Sequence, residues 1–514
     1  MEKIISAAKA ISLIKDDDCI GVGGFVGMGH PEELTKTLED RYINTNTPKN
    51  LIITYAAGQG DGKEKGINHL AHSGLVKRVI GGHWGLAPKM GKLAIEGKIE
   101  AYNFPQGVIS HLYREIAAKR PGIITHVGLK TFVDPRVSGG KLNSSTTEDM
   151  VKLIKLNGKD KLFYKTFPIN VALIRGTSSD KYGNISMEKE AGSLEMLSLA
   201  QAAKNCGGIV IAQVERIVGN GTQNPWMIKV PSIFVDYIII AEKSNQWQTY
   251  GEPYNPSFSG EIKIPLTDIP ALPLNERKII VRRAFSEIED TAVVNLGIGM
   301  PEGVSLVANE EGKTELIKIT VEAGAIGGIP AGGLSFGASY NPEAIIDQPY
   351  QFDFYDGGGL DIAFLGMAQV DCHGNVNVSK FGGRLAGCGG FINISQNAKK
   401  VVFCGTFTSG GLKIEISGGK VQIVNEGKYK KFISDVEHIT FSGEYAAECC
   451  QEVLYVTERA VFKLTSKGLK LIEIAPGIDL EKDIISRMDF RPAISKDLKD
   501  MPHFIYREGR MEDR

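Results

Sequence analysis

Asp18-Cys-Ile-Gly-Val-Gly-Gly-Phe-Val-Gly-Met-Gly-His-Pro-Glu32 stands near the start of the chain, and Asp290-Thr-Ala-Val-Val-Asn-Leu-Gly-Ile-Gly-Met-Pro-Glu302 stands in its second half. GMGHPE at 27–32 aligns with GIGMPE at 297–302, an offset of 270 residues (297 − 27). In both places a short apolar strand leads into a glycine-rich turn, and proline then opens a helical pattern. The chain therefore contains one structural unit twice.

A second pair of segments repeats in the same order. Residues 171–185 and 362–376 each predict a strand, an Asp-x-x-Gly-Asn turn and another strand. Each is followed by an Ala-Lys pair and an apolar strand, at 209–213 and 401–404. Two matches in one order predict an α/β fold: two tandem, related open α/β domains with mostly parallel sheets and flanking helices.

The boundary between the two domains is predicted in residues 242–274, which are rich in proline, serine and polar residues and lack periodicity. The N-terminal domain is then 1–241 and the C-terminal domain 275–514, with a helix that resumes at Asn275. A chain of 514 residues is too long for one ordinary core, which fits this division.

The composition restricts the classes of partner. Lysine and arginine number 59 against 60 acidic residues, and they are dispersed, so we expect no nucleic acid. No apolar run approaches the ~18 residues of a membrane span, and the N-terminus does not read as a signal peptide, so we expect no membrane. Seven scattered cysteines fit a reduced, cytoplasmic setting.

The segment Leu316-Ile-Lys-Ile-Thr-Val-Glu322-Ala-Gly-Ala-Ile-Gly-Gly-Ile-Pro330 predicts a buried strand that ends on a carboxylate and opens into a glycine-rich loop. Ligands of α/β sheets bind at the carboxyl ends of strands. Glycines allow close approach to the backbone and leave N–H donors for developing negative charge. Glu322 is therefore a candidate catalytic residue; an ordinary exposed glutamate at a strand end is the alternative.

Several long motifs resemble one enzyme family. Residues 17–31, with the core Gly-Gly-Phe-x-x-x-Gly-x-Pro, resemble the N-terminal signature of family I coenzyme A transferases, and Glu322-Ala-Gly-Ala-Ile-Gly-Gly is similar to their catalytic glutamate segment. The resemblance runs from about residue 5 to residue 492 and is closest to the single-chain propionate and acetate enzymes. The segments that carry this closer resemblance are 336–361, 384–396 and 404–412. Val-Glu-Ala-Gly replaces the Ser-Glu-Asn-Gly of many ketoacid members, which favours the propionate-type branch.

The resemblance implies a CoA-transferase that moves CoA between a short-chain acyl-CoA and a short-chain carboxylic acid through a glutamyl-CoA thioester. Glu322 is the implied nucleophile, which must ionise, so we expect a moderate pKa. Gln106 and the backbone N–H of Gly389 or Gly390 are the implied oxyanion donors, and they place the active site between the domains. No metal or organic cofactor is implied, and the implied assembly is a homotetramer.

Binding of CoA and the acyl group is expected at the glycine-rich turns and at basic residues beside them. The candidate glycines are Gly27, Gly29, Gly297 and Gly299. Lys380 and Arg384 are candidates for the CoA phosphates, because charged donors recognise phosphate; an ordinary solvated pair is equally compatible with the sequence.

Other interpretations have weaker support. An acyl-CoA hydrolase on the same scaffold and a non-catalytic ligand-binding protein are the main alternatives. Gly333-Leu-Ser-Phe-Gly337 matches a nucleophile elbow without the required strand before it. His69, His72 and His83 suggest a metal cluster, but structural histidines are expected. The pair Cys449-Cys450 is expected to pack in a buried helix. The preferred acid is not readable from the sequence.

Overall fold

The computed structural model describes residues 3–265 and 270–511. The first half forms one parallel sheet of seven strands, in the order β7-β6-β5-β1-β2-β3-β4. Its strands are β1 Cys19–Val22, β2 Leu51–Tyr55, β3 Val76–Gly81, β4 Glu100–Asn103, β5 Val171–Arg175, β6 Ile209–Val214 and β7 Tyr237–Ile240.

The second half forms a mixed sheet of ten strands, in the order β11-β10-β9-β8-β12-β13-β14-β15-β16-β17. Its strands are β8 Val293–Leu296, β9 Lys318–Thr320, β10 Ala325–Ile326, β11 Ala344–Ile345, β12 Ile362–Gly366, β13 Lys400–Cys404, β14 Glu452–Val456, β15 Ala460–Thr465, β16 Gly468–Ile474 and β17 Ala493–Asp500. The central strands are parallel, whereas β10 and β11 at one side and β15 and β16 at the other pair antiparallel.

The two sheets share a five-strand core, which confirms the predicted fold class. β2-β1-β5-β6-β7 in the first sheet corresponds to β9-β8-β12-β13-β14 in the second. The repeated glycine turns follow β1 and β8, and the repeated Asp-x-x-Gly-Asn segments follow β5 and β12. In both Asp turns the carboxylate accepts from backbone N–H groups and from the asparagine side chain, at Asp180 and at Asp371.

Ten α-helices lie in the described part of the chain. They are α1 Ala7–Ile11, α2 Glu32–Thr45, α3 Pro88–Ile95, α4 Gln106–Ala117, α5 Met196–Asn205, α6 Glu276–Phe285, α7 Gly303–Glu310, α8 Gln348–Asp356, α9 Phe391–Asn397 and α10 Gly443–Glu448. They cover both faces of each sheet, because their apolar residues join two hydrophobic clusters per sheet. The helix predicted to resume at Asn275 is α6, which begins at Glu276 and has Asn275 as its N-cap.

Smaller antiparallel elements surround the sheets. A three-stranded sheet comprises Gly122–Thr125, Val151–Leu156 and Lys159–Lys165, and a four-stranded one comprises Ser178–Ser179, Ile185–Ser186, Arg216–Ile217 and Ile228–Val230. The two-stranded pairs are Ile329–Pro330 with Ser339–Tyr340, Gln369–Val370 with Val376–Asn377, Lys380–Phe381 with Arg384–Leu385, Thr408–Ser409 with Tyr429–Lys430, and Lys413–Ser417 with Lys420–Asn425.

The predicted boundary segment connects both halves in its described part. Tyr250 donates to Glu32 at 2.6 Å in the first half, and Thr249 bonds Ser335 at 2.9 Å in the second. All strands of the first sheet precede residue 242 and all strands of the second follow residue 274. The domain limits themselves stay a prediction, and residues 266–269 lie outside the described residues. No described helix has the length and apolar character that crossing a bilayer requires.

Candidate active site

Glu322 lies two residues beyond β9, in the turn that leads into antiparallel β10. The predicted strand end is therefore present, and the glycine-rich segment predicted after it begins with a tight turn into β10. The side chain is buried, at 8% exposure, and its Oε2 has no hydrogen-bond partner in the described part of the chain. Burial raises the pKa of Glu322 to about 7, although a backbone N–H and the Asn295 side chain act in the opposite direction. The moderate pKa expected from the sequence is thus replaced by a raised one.

Glu322 borders a cavity of about 350 Å³ whose walls come from both halves of the chain. Most of these walls are apolar. The lining residues are Phe25, Val26, Gly58, His83, Leu86, Gln106, Gly297, Ile298, Glu322, Phe336, Leu365, Gly366, Met367, Ala368, Val378, Phe381, Ala386, Gly387, Cys388, Gly389, Gly390, Phe391 and Ile394. An apolar cavity with a few convergent polar groups is the usual form of a ligand site.

Gln106 is one of those polar groups. It is the first residue of α4 and is 2% exposed. Its backbone N–H donates to the carbonyl of Gly389 at 2.9 Å, and its Nε2 donates to Oε1 of Gln348 at 3.2 Å. The start of α4 is therefore attached to two segments of the second half, at the cavity wall.

The two candidate glycine donors differ in their hydrogen bonds. The N–H of Gly389 donates to the carbonyl of Gly82 at 2.7 Å, so it is already used. The N–H of Gly390 has no hydrogen-bond partner among residues 3–265 and 270–511. Gly389 also has a φ of +52°, the left-handed region that favours glycine. Of the two, Gly390 is the one with an available donor.

The four glycines predicted to bind CoA and the acyl group have different surroundings in the structure. Gly297 lines the cavity. A Cβ at Gly27 would stand 2.5 Å from Tyr250, and one at Gly29 would stand 2.8 Å from Met196, so both positions allow close internal packing instead. Gly299 lies on the surface, where its Cβ would meet open space. A binding role for these glycines stays a prediction.

Lys380 and Arg384 are exposed residues of the hairpin Lys380–Phe381 and Arg384–Leu385. Between them, Phe381 reaches the cavity wall. Lys380 Nζ donates to the carbonyl of Leu142 at 3.3 Å, which belongs to the first half. Both basic residues therefore lie beside the cavity rather than in it, and phosphate binding there stays a prediction.

A further repeat locates Glu322 within the duplicated unit. Ile53-Thr-Tyr-Ala-Ala-Gly58 follows the course of β2, and Ile319-Thr-Val-Glu-Ala-Gly324 follows that of β9. Ala56 thus occupies the position of Glu322 in the first copy. The alignment of ITYAAG with ITVEAG is visible in the sequence, but six residues with two mismatches become convincing only when the equivalent strands are known.

The histidines do not form the metal cluster considered above. His69 bonds Glu32 and Glu39, and His72 bonds Glu39, in a network between α2 and the turn that precedes β3. No group of three or more histidine, cysteine or acidic side chains suited to a metal occurs among the described residues. His83 lies apart, in the cavity wall.

Two other sequence interpretations have structural outcomes. The expectation of buried packing for Cys449 and Cys450 is wrong, because both are exposed at the end of α10, which stops at Glu448. Ser335 lies in a short 3₁₀ turn and bonds Thr249. It therefore lacks the strand-to-helix turn of a nucleophile elbow.

Comparison with known proteins agrees with this geometry. The family model described as Coenzyme A transferase matches residues 4–241. A caffeate CoA-transferase of Acetobacterium woodii is 50% identical over 99% of this chain and 98% of its own length. The chain belongs to the coenzyme A transferase family. It is therefore a CoA-transferase.

Two further relatives support the assignment to the CoA-transferases. An acetate CoA-transferase YdiF of Escherichia coli (strain K12) is 46% identical over 99% of this chain and 96% of its own length. The crystal structure of the acyl-CoA transferase YdiF from E. coli O157:H7, a thioester complex with CoA, superposes with a TM-score of 0.93 at 45% identity. That match covers 99% of this chain and 97% of the other.

Proposed function

We propose that this CoA-transferase moves CoA between a short-chain acyl-CoA and a short-chain carboxylic acid in a ping-pong reaction, with Glu322 as the nucleophile. The observation that carries the proposal is the Glu322 carboxylate, which is buried in the cavity wall with one oxygen unpaired. A buried polar atom without a partner is uncommon in proteins and is often explained by function. The relative whose structure is a thioester complex with CoA supports the same chemistry.

In the first step a Glu322 oxygen attacks the carbonyl carbon of the donor thioester. The carbon–sulfur bond breaks, CoA leaves as the thiolate, and a mixed acyl-glutamyl anhydride forms. The thiolate sulfur then attacks the glutamyl carbonyl carbon. The bond to the bridging oxygen breaks, the donor acid leaves as a carboxylate, and the glutamyl-CoA thioester remains.

The acceptor acid completes the cycle by the reverse sequence. Its carboxylate attacks the glutamyl-CoA thioester, CoA thiolate leaves, and the thiolate then attacks the acyl side of the new anhydride. Acyl-CoA is released and the Glu322 carboxylate is regenerated. The thioester energy is conserved throughout, so we propose that no metal or organic cofactor takes part.

Each attack creates a negatively charged oxygen, which requires hydrogen-bond donors. We assign this role to the side-chain amide of Gln106 and to the backbone N–H of Gly390. Both border the cavity, and the Gly390 N–H has no partner within the described residues. Donors placed in advance where charge develops supply a large share of catalysis in acyl transfer.

Mass spectrometry tests the covalent intermediate. The protein is incubated with acyl-CoA in the absence of acceptor and then treated with hydroxylamine or borohydride. We expect a thioester-dependent modification on the peptide that contains Glu322 and none in Glu322→Gln. Glu343→Gln is the matched control, because Glu343 is an exposed glutamate that pairs with Lys318. Active enzyme with unmodified Glu322 would overturn the mechanism.

The hydrolase alternative differs in its dependence on the acceptor. Free CoA release is measured with and without acetate. A transferase releases little net CoA and forms acetyl-CoA only when acetate is present. Release of free CoA at the same rate with and without acetate identifies a hydrolase.

An aromatic acid is a second candidate acceptor. Four phenylalanines line the cavity: Phe25, Phe336, Phe381 and Phe391. A relative of 50% identity is named a caffeate CoA-transferase, whereas a relative of 46% identity is named an acetate CoA-transferase. Comparison of kcat/KM for acetate, propionate, butyrate and caffeate decides between the two classes. If kcat/KM for caffeate exceeds that for every short-chain acid by more than about tenfold, the aromatic acid replaces the short-chain assignment. Tenfold is the threshold because a single methylene group already changes specificity by about 10–200-fold.

The homotetramer and the cytoplasmic setting stay predictions. Sedimentation velocity of the purified chain measures the first, and a mass other than four chains contradicts it.

A further inference from the structure

His83 lies in the loop that follows β3, and it borders the same cavity as Glu322 and Gln106. Its backbone forms an antiparallel bridge with Gly387 of the second half. The imidazole therefore stands where the two halves of the chain meet, beside the glycine turn that carries the Gly390 donor.

Glycines surround the His83 side chain. A Cβ at Gly58 would stand 2.5 Å from Nδ1, and a Cβ at Gly85 would stand 3.0 Å from Cε1. A Cβ at Gly387 would stand 3.0 Å from the His83 Cα. Side chains at these positions would collide with the histidine or narrow its space. The glycines come from both halves, and together they leave a slot for one imidazole.

The ring has no hydrogen-bond partner among the residues that the structure describes. Nδ1 is buried and unpaired, and no described residue bonds Nε2. Buried nitrogens in proteins nearly always have partners, and leaving one unpaired destabilises the fold. Nε2 is not among the buried unpaired atoms, and no described residue bonds it, so Nε2 is the ring nitrogen left for a partner that arrives with the substrate.

The His83 imidazole is neutral near pH 7, because burial lowers its pKa to about 4. A neutral imidazole has one N–H donor and one acceptor nitrogen. Nδ1 is buried beside Gly58, whereas Nε2 is not among the buried unpaired atoms, so a proton on Nε2 places the donor on the ring nitrogen that a ligand can reach. The reacting groups are a thioester carbonyl, an oxyanion, a carboxylate and a thiolate, all of which accept hydrogen bonds. A donor is what they require.

We propose that His83 is a further catalytic residue whose Nε2–H donates a hydrogen bond to the oxygen of the reacting acyl group. The assignment rests on the proposed Glu322 mechanism. A neutral donor stabilises the oxyanion without protonating the CoA thiolate, which must remain a nucleophile for the second attack. Neutral histidine acting as an electrophile is a known solution to this requirement.

Two substitutions separate hydrogen bonding from packing. His83→Phe keeps a planar ring in the slot and removes the donor, whereas His83→Gln keeps an N–H donor at similar reach. His373→Phe is the matched control, because His373 is exposed in the Asp371 turn outside the catalytic cavity. Rates are measured at saturating acyl-CoA and acid, together with KM and the thermal unfolding midpoint.

We expect His83→Phe to lower kcat by about 10²-fold with KM within about threefold of the unsubstituted enzyme, the effect of losing one oxyanion donor. His83→Gln should recover about tenfold of that loss, and His373→Phe should leave kcat unchanged. A His83→Phe variant with near-normal kcat overturns the proposal. So does equal loss in the Phe and Gln variants with lowered unfolding midpoints, because that result assigns the residue to packing.

The adduct experiment keeps this proposal distinct from the Glu322 mechanism. The unsubstituted enzyme is first tested for the thioester-dependent modification of Glu322. Without the modification the Glu322 mechanism fails, and any loss in His83→Phe is then assigned to another chemistry. If the modification of Glu322 is present, the comparison of His83→Phe with His83→Gln tests only whether His83 donates a hydrogen bond.

Discussion

Gln106 and Gln348 are the first residues of two equivalent helices, α4 and α8, and the Nε2 of Gln106 donates to the Oε1 of Gln348 at 3.2 Å. Seven residues later each helix carries a tyrosine that bonds a threonine of the equivalent strand: Tyr113 with Thr54 at 3.2 Å, and Tyr355 with Thr320 at 2.8 Å. Equivalent positions of the two copies therefore meet at the active-site cavity.

Replacement of Gln106 tests its assignment as an oxyanion donor. We expect Gln106→Leu to lower kcat by about 10²–10³-fold, because the cavity loses a donor for the developing charge. Gln348→Leu should have a smaller effect, since Gln348 only orients the Gln106 amide. Steady-state kinetics at saturating substrates measure both, with the exposed Gln422→Leu as control. Equal losses in the Gln106 and Gln348 variants would contradict the assignment.

The pH dependence of activity follows from Glu322. Its pKa in the folded protein is about 7, so the carboxylate fraction, and with it kcat/KM, should rise as pH increases through 7 and level off above about 8. The measurement is kcat/KM between pH 5.5 and 9, which reports ionisation of the free enzyme. A profile that is flat from pH 6 to 8 would disprove the raised pKa.

The same ionisation affects stability. The folded-state pKa of Glu322, about 7, exceeds its ordinary value of 4.5, so the folded protein binds more protons between these pH values. Its stability therefore falls as pH rises from about 4.5 to 7. Glu322→Gln should raise the free energy of unfolding at pH 8 by about 1–3 kcal/mol, and the difference should disappear near pH 4.5. Urea unfolding at both pH values checks this, and a destabilised variant at pH 8 would be inconsistent with it.

The hydrogen-bonded network of His69 and His72 with Glu32 and Glu39 makes the free energy of unfolding depend on pH. Its carboxylate partners raise the pKa of His69 to about 9 against the opposing effect of burial. The stabilisation is complete below pH 6.5 and is lost as pH rises through about 9. The partners of Glu32 lower its pKa to about 2 against burial, so its contribution is lost as pH falls through that value.

His69→Gln should therefore lower the free energy of unfolding at pH 7 by about 2 kcal/mol, and by less at pH 10. Urea unfolding at the two pH values measures the difference, and His503→Gln, at an exposed histidine, is the control. A chelator should not change either value. If a chelator lowers the free energy of unfolding, that result would support a metal site at these histidines.

The two basic residues beside the cavity are tested by CoA affinity. We expect the double substitution Lys380→Ala and Arg384→Ala to raise the Kd for CoA by about tenfold at low salt, with a smaller difference at high salt, because charge-assisted bonds to phosphate are lost. Isothermal titration calorimetry measures the Kd. The exposed pair Lys413 and Lys420 supplies a matched double-alanine control. An unchanged Kd identifies an ordinary solvated pair.

Sequence reasoning reached the duplicated fold because the repeated turns lie on the central strands of each sheet. β1 pairs with β5 in the first sheet and β8 pairs with β12 in the second, so the two clearest repeats mark the shared core. The sequence did not predict the strands at the edge of the second sheet. There β10 and β11 reverse direction through short strands that have no periodic signal.

The sequence predicted which motifs form the site, but it did not predict which atoms of those motifs are available for hydrogen bonding. The resemblance named Gly389 and Gly390 together, and only the hydrogen bond from Gly389 to Gly82 separates them. Similarly, the raised pKa of Glu322 results from burial by residues distant in sequence. From the sequence His83 is only one of several histidines, because its glycine slot is assembled from three segments of the chain, which carry Gly58, Gly85 and Gly387.

The occurrence of Ala56 at the position of Glu322 makes the two halves of the chain unequal. The second copy has the nucleophilic acid at this position and the first copy has an apolar residue, whereas both copies have a glutamine at the start of the equivalent helix. The second copy has a glutamine, Gln348, at the position of Gln106, so the carboxylate is the group that the first copy does not share. A protein built from two first copies would therefore have no nucleophile. The two halves of the chain are therefore not interchangeable in the proposed mechanism.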